Sequence, residues 1–126
     1  MPRVVHFEIH CDNPSRSMSF YERLFGWSFV KWEGQPYWLI SEGAGKESIG
    51  GLFQRRGARP EPGSAVNAFV CTVDVADLND SLQKVEKLGG RRAADRMPIR
   101  GVGWLAYVAD LDENLLGLLE FDKDAA

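Results

Sequence analysis

Apolar and polar residues alternate with period two over VVHFEIHCD, residues 4–12, the pattern of a strand with one buried face. Val5, Phe7 and Ile9 fall on one face, and His6, Glu8 and His10 on the other. The spacing then turns helical. Asn13 is placed to cap, Pro14 suits the first helical position, and Met18, Tyr21, Leu24 and Phe25 share a face before Gly26 ends the run. Three strand-like runs follow at 27–33, 35–41 and 48–54, with turn chemistry at Glu33-Gly34.

The same order recurs. VNAFVCTVD (66–74) matches residues 4–12 at an offset of 62, pairing Val4 with Val66, Phe7 with Phe69 and Asp12 with Asp74. Asp74 or Asp77 starts a second helix with Leu78, Leu82, Val85 and Leu88 as its stripe, closed by Gly89-Gly90. Strands are predicted at 91–97, 103–110 and 115–121; the first is weak, because Ala, Asp and Arg are poor strand formers. The prediction is an α+β chain of two βαβββ modules, about 1–54 and 65–122, joined by the Pro- and Gly-rich linker 55–64 within one domain spanning 1–126. Helices are expected to cover the faces bearing Phe7, Ile9, Phe69, Cys71 and Val73. His6, Glu8 and His10, with Ala68, Val70 and Thr72 from the second copy, are then left to line a concave face.

Composition narrows the function. A net charge of −3 with scattered Lys and Arg lacks the clustered cations that nucleic acid requires. No apolar run approaches the roughly 20 residues that span a bilayer. A cytoplasmic protein with reduced Cys11 and Cys71 is expected, since the two cysteines form neither CxxC nor a zinc spacing.

The chemistry gathers on the first strand, which holds both of the chain's histidines with Glu8 between them. Three readings stay open: a small metal site, a proton-transfer pair of His6 and Glu8, or an ordinary wet strand face. Residues i and i+2 lie about 7 Å apart on a strand, so neighbouring side chains can share a proton or an ion. A metal site needs at least three protein ligands, and the third is not evident.

The phrases VVHFEIHCDNPSRSMSFYERLFGW, VDVADLNDSLQKVEKLGG and YVADLDENLLGLLEF, in this order and spacing, resemble the vicinal oxygen chelate superfamily of glyoxalases, bleomycin and fosfomycin resistance proteins and extradiol dioxygenases. The resemblance implies a cup-shaped, eight-stranded mixed sheet, often in a dimer whose chains may exchange modules. It also implies a divalent metal held by one side chain from each of four strands. Carried over by position, the first ligand matches His6. The others fall at Gly50 or Gly51, at Ala68 and at Gly117, with Glu120 three residues on and on the other face. The family metal is therefore expected to be absent.

Trp32, Tyr37, Trp38 and Trp104 offer flat apolar surface on strands, although core packing is the commoner fate of such residues. The leading expectation is a metal-free domain, homodimeric, that binds a small apolar or aromatic molecule through His6, Glu8, His10, Trp38, Gly51, Ala68, Val70, Trp104 and Gly117. The alternative is a glyoxalase-related lyase or isomerase with His6 and Glu8 as acid–base groups or an atypical metal site.

Overall fold

The structure, a computed structural model, describes residues 2–126. Among them the chain forms eight strands and two helices, in two compact units divided between residues 59 and 60. In the first unit the order is β1 (Phe7–Cys11), α1 (Pro14–Phe25), β2 (Ser28–Lys31), β3 (Tyr37–Ser41) and β4 (Ser48–Gln54). The sheet order is β1-β4-β3-β2, with β1 parallel to β4 and the other pairs antiparallel. The second unit repeats this plan with β5 (Thr72–Asp74), α2 (Leu78–Lys87), β6 (Arg91–Ile99), β7 (Gly103–Ala109) and β8 (Leu115–Phe121), in sheet order β5-β8-β7-β6. No helix among the described residues is long and apolar enough to cross a membrane.

Local signals set the helix ends. The Asn13 side chain accepts a hydrogen bond from Arg16 N, Pro14 fills the first turn, and Gly26 closes α1 at φ 77°. That positive φ favours glycine. Asp77, not Asp74, caps α2 by accepting from Asp80 N. The stripe of α1 is turned slightly from the expected one: Ser17, Phe20, Tyr21 and Leu24 are buried, while Met18 and Phe25 are half-buried. Trp27 joins this core, its ring stacked on Tyr21 at 5.5 Å.

Strand registers decide the sheet faces. In the first unit Ile9, Leu52 and Trp38 form one cross-strand row, and Phe7, Gly50 and Ile40 another, on the face that buries Ile9, Leu52 and Ile40. The opposite face carries the rows Glu8–Gly51–Leu39 and His10–Phe53–Tyr37. Opposite residues of paired strands project to the same side, so the predicted division of β1 into two faces holds.

Two expectations are corrected. The strand predicted at 66–74 is ordered as a strand only over Thr72–Asp74. Thr72 pairs with Gly117 in parallel and Cys71 O accepts from Gly117 N at 2.9 Å, and residues 66–70 add no further rung to the ladder with β8. A strand without a ladder partner leaves its polar groups to water. Phe69 and Cys71, expected beneath α2, are exposed, and Ala68 and Val70 lie outside the strand. Conversely β6 extends to Ile99 despite its poor strand formers, because pairing with β7 across two register shifts outweighs local preference.

Candidate functional site

A continuous polar chain crosses the open face of the first sheet. His6 Nε2 lies 2.6 Å from the Tyr37 hydroxyl, which donates to Glu8 Oε2 at 3.0 Å; Glu8 Oε1 is 3.4 Å from His10 Nε2. Chemistry sets the direction of the links. The carboxylate only accepts, and Tyr37 has one proton, which it gives to Glu8. The short contact with His6 therefore requires the imidazole to donate through Nε2–H. His6, Glu8 and His10 are exposed, whereas Tyr37 is half-buried.

Rings wall this chain. Phe53 lies 5.6 Å from Tyr37 at an interplanar angle of 26° and 4.3 Å from His10, and Trp32 meets Tyr37 edge-on at 6.1 Å. Burial, then the hydrogen bond to Glu8 and its charge, push the Tyr37 phenol up to about 12. It stays protonated at neutral pH.

Tyr37 is the site residue that periodicity did not single out. Its hydroxyl fits because Gly51, on the neighbouring strand, has no side chain: a Cβ there would collide with the Tyr37 hydroxyl, Cζ and Cε1. The signal in the sequence was the Gly50-Gly51 pair inside a strand, which marks close approach by another group.

The other expected site residues divide. His6, Glu8, His10 and Gly51 come together. Trp38 projects to the opposite face of that sheet, since it pairs with Leu52, and is removed from this group by strand alternation. In the second unit Gly117 pairs with Thr72 and Tyr107, and a Cβ at Gly117 would sit 2.7 Å from Thr72 Oγ1. Ala68 and Val70 lie in the exposed segment before β5. Trp104 pairs with Glu120, whose carboxylate accepts from Leu78 N at 2.8 Å; both therefore belong to the face under α2. The Trp104 indole donates to Asp122 Oδ2 at 3.2 Å, and the Arg96 guanidinium lies 4.3 Å over its ring. Glu120 thus faces away from Gly117, as the alternation predicts, and serves the start of α2.

The donors at the expected metal positions do not fit a divalent ion. His6 supplies an imidazole already joined to Tyr37, the space over Gly51 holds a neutral phenol, and Ala68 and Gly117 have no donor side chain. Among the described residues no group of three or more His, Cys, Asp or Glu is arranged to hold a metal.

Comparison with known structures gives the same architecture. The fosfomycin resistance protein FosX from Listeria monocytogenes superposes with a TM-score of 0.71 at 15% identity, covering 97% of this chain and 93% of that one. A variant of FosX was crystallised with Mn(II) and 1S,2S-dihydroxypropylphosphonic acid. A glyoxalase/bleomycin resistance protein/dioxygenase family enzyme from Burkholderia phytofirmans PsJN gives a TM-score of 0.70 at 12% identity, over 94% and 98% of the two chains. The virulence protein STM3117 from Salmonella typhimurium gives 0.64 at 22% identity, over 97% and 98%. At these identities the likeness concerns the fold. Comparison with curated protein sequences finds no match. The family profile of the Glyoxalase/Bleomycin resistance protein/Dioxygenase superfamily matches residues 3–118, and together with the repeated βαβββ order this shows that the chain belongs to that superfamily.

Proposed function

We propose that this chain is a metal-free, small-molecule-binding member of its superfamily, taking an apolar or aromatic ligand on the open face of the first sheet. The observation that carries the reading is the Tyr37 hydroxyl seated over Gly51. It closes a hydrogen-bonded chain from His6 to Glu8 where the resemblance implies a metal-binding side chain. Phe53, Trp32 and the Tyr37 ring supply flat apolar wall, and Glu8 and His6 supply the few polar groups that orient a ligand.

Two measurements test this. Elemental analysis of the protein purified without chelator is expected to find only substoichiometric zinc, nickel, manganese and iron. Near-stoichiometric metal, lost on His6→Ala, would overturn the metal-free reading. Two-dimensional NMR screening with flat apolar molecules is expected to move the amides of Glu8, Gly51 and Phe53. Shifts confined to other segments, or none, would place the site elsewhere.

The Tyr37 bridge also favours a second reading, acid–base catalysis of the glyoxalase-related lyase or isomerase type. Glu8 would accept a substrate proton and a protonated His6 would return one from its Nδ1–H, both groups then exchanging protons with solvent. Turnover of a dicarbonyl–thiol adduct, abolished by Glu8→Gln and retained without added metal, is its test.

A further inference from the structure

The hydrogen bonds of this face can be counted donor by donor. Tyr37 spends its one O–H on Glu8, and His6 spends its Nε2–H on Tyr37. In the neutral imidazole this leaves His6 Nδ1 as an acceptor. Glu8 receives one hydrogen bond at Oε2 and one long contact at Oε1; an ionised carboxylate has room for about four. Its side chain is 43% exposed. Beside His10, which meets Glu8 Oε1, the groups that His6 and Glu8 still present are therefore acceptors, and one of them is an anion.

Charge points the same way. Among the described strand residues on this face, Glu8 carries the only carboxylate, with His10 beside it at 3.4 Å; the others are Ser28, Val30, Leu39, Ser41, Ile49 and Phe53 beside Gly51 and Tyr37. Lys31, paired with Trp38, projects to the opposite side. Arg55, just beyond β4, is held by Asp12 at 2.9 Å. The Tyr37 ring, tied to the carboxylate through its hydroxyl, packs against Phe53 and Trp32, and the faces of aromatic rings attract cations.

We infer that the ligand of this face is an organic cation, a protonated amine or amidine on a flat apolar body, with Glu8 as its counter-ion and His6 Nδ1 as a second acceptor. This inference rests on the small-molecule-binding reading above and names the ligand class of that site. A donor-rich cation satisfies both free acceptors at once. A carboxylate or phosphate ligand would meet only lone pairs.

The test uses the full chain, isotope-labelled, and three probes of one shape: 2-naphthylmethylamine, 2-naphthylmethanol and 2-naphthoate, titrated at neutral pH and low salt. The amine is expected to bind at least about tenfold more tightly than the alcohol, as a charge-assisted contact does, and the naphthoate most weakly. In Glu8→Gln, whose spectrum away from β1 and Tyr37 should match wild type, the preference for the amine over the alcohol is expected to vanish. Equal affinities for amine and alcohol, tighter naphthoate, or a preference that survives Glu8→Gln would overturn the inference and leave the binding face standing. Failure of all three probes to move Glu8, Gly51 or Phe53 would overturn both.

Discussion

The Tyr37 hydroxyl lies against the backbone of Gly51, in the space that a side chain at residue 51 would fill. The two residues are on adjacent strands, β3 and β4, and neither is free to change alone. Gly51→Ala is expected to displace the phenol, break its links to His6 and Glu8, and cost about 1–3 kcal/mol, as overpacking does. Adding Tyr37→Ala should restore part of that loss, a non-additivity that urea denaturation of the two single variants and the double variant would reveal. Additive losses would mean that the contact does not constrain the strand.

The Tyr37 phenol, raised from its ordinary 10.0 to about 12, links stability to alkaline pH. Its folded-state pKa lies above the unfolded value. The contribution is therefore complete below about 10 and is lost as pH rises through about 12. Phenolate absorbance titration should show a late-ionising phenol that Tyr37→Phe removes. In Glu8→Gln it should ionise earlier but still above the ordinary value, because burial is the larger cause. A late transition indifferent to Glu8 would assign the whole shift to burial.

Glu120 lies in β8 three residues after Gly117 yet acts on the other face, accepting from Leu78 N at the start of α2. Glu120→Ala should destabilise the protein by about 1 kcal/mol, the usual scale of a lost N-terminal helix contact. Binding on the first sheet should be unchanged. Thermal denaturation and the probe titrations separate the two effects.

Assembly is testable through the segment before β5. Phe69 is fully exposed, with Val66 and Val70 exposed beside it, and such apolar clusters mark contact surfaces. Light scattering is expected to find a dimer that Phe69→Ser weakens without lowering the stability of the monomer. A monomeric wild type at micromolar concentration would remove the dimer.

The order of elements was legible along the chain, because helix and strand periods and their end signals are local. Asn13, Pro14 and Gly26 bound α1 where their side chains and φ preferences require. The period of two in residues 6–10 placed His6, Glu8 and His10 on one face before any partner strand was known. Period alone could not say which aromatic joins them. Tyr37 and Trp38 are neighbours with similar surface to offer, and the register of β3 against β4 sends Tyr37 to the histidines and Trp38 to the opposite face. Tyr37 reaches His6 and Glu8 across 31 and 29 residues of sequence, and only tertiary structure decides a contact at that separation. The same holds for β5, where apolar residues with good strand propensity, Phe69 and Val70, stay outside the sheet because the ladder with β8 begins only at Thr72. Propensity and alternation are properties of one segment, whereas a ladder needs two.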